Sequence, residues 1–271
     1  MSRRLEGPEG PEGQIRRMWL GVLVLAAVGA GLQARPRAAD NALQIVSEAQ
    51  KRTTSKSERY QGLLQTFVPS GKTADKHWVF ERIGAHGESK SVIRFTSPAE
   101  VRGVALLVVN HPDRASDQWM WTPAIERDRR IALQDRSTRF FGTDFSFEDL
   151  EERDVNLYDY TLIGEEAIDG ATCWKIQAVP KQSKSSQYTN STVWIRKDNY
   201  AFARVDFYVI TQIVRRLEYS DIRNIQGIWT AGAMTMTDLR RGSVTRLARS
   251  NVEYNVPLNV AGFTLQGIRR Q

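Results

Sequence analysis

The side chains most able to do acid–base or metal chemistry are three histidines, His77, His86 and His111. None belongs to an H-x-x-x-H or H-E-x-x-H pattern, which would place two imidazoles on one helical face for a metal ion. All three lie in or beside polar, turn-like stretches, so we predict surface positions. His111 precedes Pro112-Asp113, but sequence alone does not make this a triad and no G-x-S-x-G elbow occurs. We expect no catalytic residue, no metal site and no cofactor.

The single cysteine, Cys173, lies in the apolar run Ala171–Val179, which predicts a small buried core residue. One thiol cannot form an internal disulfide, so packing must stabilise the fold. Because Cys173 is far from the N-terminus, the chain lacks the N-terminal cysteine that bacterial lipidation requires. We therefore expect a soluble protein that is not itself a lipoprotein.

The stretch Trp119–Leu150 sets aromatic rings and arginines beside turn residues. Two tryptophans at i and i+2 would share one face of a strand, and we expect that face to be interior. Four phenylalanines flank Gly142-Thr143-Asp144, a turn-prone break, so their rings would project from a connection. This arrangement predicts a lid or rim over an apolar cavity. The alternative is that the rings are packed core residues.

Seven side chains of this stretch are predicted to line or close the cavity, namely Trp119, Trp121, Phe140, Phe141, Phe145, Phe147 and Leu150. Three arginines between the tryptophans and the aromatic turn are predicted at the cavity rim, namely Arg127, Arg129 and Arg130. Rim charges would steer anionic headgroups or an acidic partner. The alternative is that Arg129 and Arg130 pair with carboxylates on adjacent strands.

Two segments of the stretch resemble the outer membrane lipoprotein-sorting protein family, the LolA-like proteins. Members carry W-x-Y-x-P-A-x-x-x-x-R-R-I followed by F-x-G-S-D-F-S-Y-E-D-L, which stand here as Trp119–Ile131 and Phe140–Leu150. The departures are Trp121 and Phe147 in place of tyrosines and Thr143 in place of serine. The flanking sequence through to the C-terminus also fits a LolA-like chain.

The resemblance implies an incomplete antiparallel β-barrel, plugged by helices, that holds lipid acyl chains in its interior. The implied function is that of a periplasmic carrier or chaperone for the acyl chains of lipoproteins or lipids. Related LolA-like folds also serve as envelope sensors or scaffolds, which is the alternative function. The implied partner is an inner-membrane transporter of the ABC or RND (resistance-nodulation-division) type. We expect a monomer that binds no nucleic acid.

Residues 1–34 have the order of residues typical of a secretory signal. Arg16 and Arg17 precede an apolar run from Met18 to about Leu32, and the small residue Ala34 follows. The run is about fifteen residues long, short of the ~20 that span a bilayer, which favours a signal cleaved after Ala34. Residues 1–13 are read as disordered or as lying upstream of the true start. The sequence thus predicts export to the periplasm.

The chain of 271 residues has a formal net charge of +7. Removal of residues 1–34, which carry four arginines and three glutamates, leaves +6. A basic surface could meet nucleic acid, anionic headgroups or an acidic partner, and an exported protein rarely meets the first.

Residues 40–271 are predicted to form one domain, mainly β with a few helices (α+β). Apolar residues at helical spacing over residues 41–49 predict an opening helix. About ten or eleven strand-like runs follow, with hairpin signals and no β-α-β alternation. Short helices are expected from Ser146 to about Arg153 and over residues 260–268. These helices would cover the concave face of one curled antiparallel sheet, leaving a half-filled barrel with a cavity.

Overall fold

The computed structural model describes residues 38–270 except residues 74 and 113, with side chains from residue 41. The predicted signal over residues 1–34 therefore lies outside the described residues. Asp113, the carboxylate close to His111 in the sequence, also lies outside them. Within the described part of the chain, no helix combines the length and apolar character needed to cross a bilayer.

The opening helix, α1, runs over Ala38–Arg52. Its residues Ala42, Ile45, Val46 and Ala49 are all at most 6% exposed, which confirms the predicted amphipathic helix. Because these residues recur at helical spacing, they form one apolar stripe that packs against the sheet.

Fourteen strands among the described residues form one sheet, in which every pairing is antiparallel. The strands are β1 (Ser57–Val68), β2 (Gly71–Lys72), β3 (Lys76–Ile83), β4 (Lys90–Ser97), β5 (Ala105–Val109), β6 (Asp117–Thr122), β7 (Arg127–Arg130), β8 (Tyr158–Ile168), β9 (Ala171–Pro180), β10 (Asn190–Arg196), β11 (Phe202–Val209), β12 (Gln212–Ile225), β13 (Ile228–Asp238) and β14 (Ser243–Tyr254). Their order is β7-β6-β5-β4-β3-β1-β14-β13-β12-β11-β10-β9-β8, with β2 beside β1.

The two end strands, β7 and β8, do not pair with each other, so the barrel is incomplete, as the resemblance implies. One buried cluster joins residues of β3 to β5 with residues of β10 to β14, and a flat sheet of this width could not bring them together. The sheet is therefore curled. The strand number exceeds the predicted ten or eleven, since β2 has two residues and β7 is Arg-Asp-Arg-Arg, neither with an apolar period.

The two predicted short helices differ from expectation. Only a single 3-10 turn, Glu148–Leu150, forms where a helix through Arg153 was predicted. At the C-terminus, a 3-10 turn (Val260–Gly262) precedes a five-residue helix, α2 (Leu265–Arg269).

The C-terminal segment covers the convex face of the sheet, which corrects the predicted concave position. Its side chains Phe263 and Ile268 pack with Ala105 and Leu107 of β5. The neighbouring β5 residue Leu106 belongs to the concave cluster. Because successive residues of a strand point to opposite faces, β5 is buried on both sides.

Candidate functional site

A cavity of about 520 Å³ lies on the concave side of the sheet. Its floor is formed by Val193 of β10, Val205 and Phe207 of β11, and Leu217 and Tyr219 of β12. The pairs at i and i+2 share a face because side chains alternate along a strand. The volume falls within the roughly 300–1,000 Å³ of small-molecule sites, and the floor is apolar.

The side walls come from α1 and the start of β8. Val46 of α1, Val155 and Leu157 of the 3-10 turn before β8, and Tyr158 and Tyr160 of β8 line these walls. Burial raises the pKa of Tyr160 to about 12, and burial likewise raises that of Tyr219 on the floor to about 12. Both hydroxyls are therefore neutral at pH 7, so these walls add no charge.

Residues 148–154, which we call the lid segment, lie at the cavity mouth. Their carboxylates bind different neighbouring elements, so the segment is held by polar contacts instead of helical hydrogen bonds. The Ser186 Oγ–H donates to Glu148 over 2.5 Å, and the Ser89 Oγ–H donates to Glu152 over 2.5 Å. These bonds tie the lid segment to loops on both sides of the mouth.

Two further lid carboxylates are ion-paired. Asp149 accepts hydrogen bonds from the Tyr188 hydroxyl at 2.9 Å and from the Arg215 guanidinium at 3.1 Å. Glu151 binds Arg136 and lies 3.0 Å from Lys184 Nζ. Burial opposes the charge on Lys184, but Glu151, Tyr158 and Glu148 together outweigh burial and raise the pKa of this ammonium.

The four phenylalanines form a packed aromatic cluster beside the cavity. Phe140, Phe145 and Phe147 are 0%, 6% and 5% exposed, while Phe141 and Leu150 are half-buried against the same core. None of the five lines the cavity. The packed-core alternative therefore describes them.

The turn that carries the phenylalanines is pinned to β14. Asp144 is fully buried and accepts hydrogen bonds from Ser243 Oγ at 2.5 Å and Thr245 Oγ1 at 2.8 Å. Arg139 donates to the same carboxylate over 2.6 Å. With its partners satisfied, this buried carboxylate fixes the turn against the concave face.

The prediction that Trp119 and Trp121 face the cavity is wrong. They do share one face, as their spacing predicts, but that face is convex, where they pack with Leu265 and the rest of the C-terminal segment. The guanidinium of Arg130 lies 5.9 Å from the Trp119 ring, and that of Arg269 lies 5.9 Å from the Trp121 ring.

The predicted rim arginines are exposed on edge strand β7. Arg130 lies 2.5 Å from Asp117 of β6, which confirms for this residue the alternative of pairing on an adjacent strand. Asp117 also contacts Arg114 at 2.7 Å and His111 at 3.0 Å, and both of these residues line the cavity mouth. Arg114, Arg130 and His111 hold the pKa of Asp117 well below its usual range. Arg130 is therefore linked to the cavity mouth through Asp117, which also contacts Arg114 and His111. Arg127 and Arg129 do not line the cavity.

The residues that could do chemistry are placed as follows. His77 and His86 are exposed, and no group of three or more metal-binding side chains occurs among the described residues. Cys173 is fully buried beside Trp194, which confirms a small core residue, and burial raises the pKa of its thiol. A thiol with a raised pKa is a poor nucleophile at neutral pH.

Comparison with known proteins agrees with this geometry. A family model described as an uncharacterized protein matches residues 87–270, which include the lid segment and the whole cavity floor. No match is found among curated proteins.

Three crystal structures are similar over most of the chain. A DUF1329 family protein from Desulfovibrio piger has 29% identity and a TM-score of 0.82, covering 86% of this chain and 99% of its own. A domain described as an outer membrane lipoprotein-sorting protein, from Vibrio parahaemolyticus, has 24% identity and a TM-score of 0.81, with coverage of 86% and 100%. A LolA superfamily protein from Nitrosomonas europaea has 21% identity and a TM-score of 0.65, with coverage of 83% and 98%. The chain therefore belongs to this DUF1329-type family of uncharacterized proteins and has the LolA-like fold.

Proposed function

We propose that the protein is a periplasmic carrier or chaperone that binds acyl chains of lipoproteins or lipids for transfer across the envelope. The observation that carries the proposal is the cavity of about 520 Å³, whose floor is apolar and whose mouth is bordered by charged and polar side chains. The similar domain from Vibrio parahaemolyticus is described as a lipoprotein-sorting protein, which supports the same class of ligand.

The mechanism is burial without chemistry. Each acyl methylene removed from water contributes roughly 0.8 kcal/mol, so a short length of chain supplies several kcal/mol. A carrier must also release its ligand. The free energy needed to open the lid segment opposes binding and so favours release. Opening it breaks the hydrogen bonds of Glu148 and Glu152, which re-form when the cavity empties. Ligand binding then shifts the lid segment from closed to open, because the free energy of opening is smaller than the free energy gained by burying the acyl chain.

The carrier proposal is tested on protein isolated from the envelope of its native host. We expect mass spectrometry of the extracted lipids to show an acyl-chain ligand, and N-terminal sequencing to begin at Arg35. Protein that carries no acyl compound would contradict the carrier. Residues 1–34 retained in the inner membrane would favour the alternative of a tethered sensor or scaffold acting with an ABC- or RND-type exporter.

The β7 arginines are proposed to steer anionic membranes. Removing both exposed charges with Arg129→Gln/Arg130→Gln should slow association with anionic vesicles several-fold at low salt and leave zwitterionic vesicles unaffected, since exposed charges act through a screened long-range field. Stopped-flow rates at two salt concentrations measure this. The matched control is Arg240→Gln/Arg241→Gln, an exposed pair in the β13–β14 turn. Equal rates and salt slopes for both double variants would remove the steering role.

A further inference from the structure

A second depression, of about 290 Å³, adjoins the cavity on the concave face. The two share Thr53, His86, Glu152, Phe202 and Tyr219 as lining residues, so they are contiguous. The larger part has an apolar floor and a charged mouth. The smaller part also contains Arg82 and Arg249, which the proposed mechanism does not use.

The two arginines share one carboxylate. Arg82 Nε and Arg249 Nη1 each lie 3.6 Å from an oxygen of Glu58, beyond hydrogen-bonding distance. The side chains of Arg82, Arg249 and Glu58 are 11%, 13% and 14% exposed. Arg82, Arg249 and Glu58 together carry a net charge of +1, in a place where water has limited access and charge is costly. The other carboxylate of the depression, Glu152, accepts hydrogen bonds from Ser89 Oγ and from the Gly87 backbone N–H instead of from either arginine.

Both guanidiniums are held in position by uncharged acceptors. Arg249 donates to the Ala231 carbonyl at 2.8 Å, and Arg82 donates to the Gly84 carbonyl at 2.9 Å and to Ser55 Oγ at 2.6 Å. These bonds orient the planar groups without cancelling their charge. A pre-oriented guanidinium loses little freedom on binding an oxyanion.

The remaining lining of the depression is largely aromatic and apolar. Phe80, Tyr219 and Tyr254 line it, and Trp229, which is 38% exposed, also contributes. Rings around a partly buried positive pair suit a molecule with an anionic end and an apolar body.

We infer that Arg82 and Arg249 form a headgroup site, and that the ligand is an amphiphile with a phosphate or carboxylate head whose chain occupies the adjoining cavity. This inference rests on the proposed carrier function and specifies its ligand. An oxyanion compensates the excess charge, whereas a neutral or cationic head leaves it uncompensated or adds to it. The two arginines therefore select an anionic head both by attracting it and by repelling a cationic one.

The test is isothermal titration calorimetry on the full polypeptide. It compares three ligands that share a dodecyl chain, namely dodecyl phosphate, dodecanol and dodecyltrimethylammonium. Inorganic phosphate serves as the ligand without an alkyl chain. We expect dodecyl phosphate to bind at least tenfold more tightly than dodecanol. Arg82→Gln and Arg249→Gln should each abolish most of this preference while dodecanol affinity is retained. The matched control is Arg246→Gln, which removes an exposed arginine from the opposite face of β14.

A second variant separates ligand recognition from a purely structural role. Glu58→Gln leaves both guanidiniums without their shared carboxylate, so it should increase the preference for dodecyl phosphate. Arginines that only tie strands together would give no increase. Equal affinity for all three head groups, an unchanged preference in Arg249→Gln, or inorganic phosphate binding as tightly as dodecyl phosphate would each overturn the inference. If dodecanol and dodecyl phosphate both fail to bind, the carrier proposal itself fails.

Discussion

Replacing Phe140 by alanine is expected to lower the free energy of unfolding by about 3–5 kcal/mol. The ring is fully buried, and its centroid lies 5.0–5.9 Å from the rings of Trp78, Phe95, Phe141 and Phe147. Alanine would remove the centre of this cluster and leave a void that neighbouring strands cannot close. Urea unfolding followed by tryptophan fluorescence measures the change.

The matched comparison is Phe207→Ala. Phe207 is half-buried on the cavity floor, where one side of the ring already faces empty space, so its truncation should cost less stability. It should instead alter the binding of an acyl ligand, which Phe140→Ala should leave nearly unchanged. A loss below about 1 kcal/mol for Phe140→Ala would show that its ring is not a packed core residue.

Much of the fold could be predicted because its signals are local. The stripe on α1 and the hairpin at Asp169-Gly170 each follow from spacing or turn chemistry within a few residues. In the structure Asp169 and Gly170 have φ of 47° and 78°, as a tight hairpin turn of this kind requires. The curl was expected from the number of strands in one sheet. The order of strands distant in sequence leaves no short-range pattern, so the incomplete barrel was named only through the family resemblance.

The face on which an element lies was harder to predict. Trp119 and Trp121 share a face by spacing, but nothing in their own segment indicates which side of the sheet that face is on. The side is set by the C-terminal segment, which brings Phe263 to the convex surface more than 130 positions later in the chain. Strands buried on both sides read as continuously apolar, as β5 does, so the pattern did not separate the two faces.

The cavity floor was missed for a related reason. Val193, Val205 and Leu217 show the alternation of any half-buried strand, and they would read the same if another layer packed on them. Whether an apolar face meets side chains or empty space depends on the elements opposite. The lid was also placed differently. The sequence predicted it in the phenylalanines of the aromatic turn, whereas the residues after that turn, such as Glu148 and Asp149, line the cavity.

Leu217→Asp is expected to weaken the binding of dodecanol or another neutral alkyl-chain ligand at least tenfold, about 1.4 kcal/mol. Leu217 of β12 lies on the cavity floor and is 8% exposed. A carboxylate there must either keep its water, which excludes the chain, or lose it at a free-energy cost larger than the gain from burying a few methylenes. Titration calorimetry on the full chain measures the change, with circular dichroism to verify the fold.

Two controls separate this effect from general damage. Leu239→Asp makes the same chemical change at a leucine that is 47% exposed and outside the cavity, so it should bind as the unaltered protein does. Leu217→Met keeps the volume and apolar character of the floor and should also retain affinity. If folded Leu217→Asp binds as tightly as Leu239→Asp, the chain does not lie on this floor. The ligand would then have to occupy another surface of the curled sheet, and the apolar cavity would have no part in carriage.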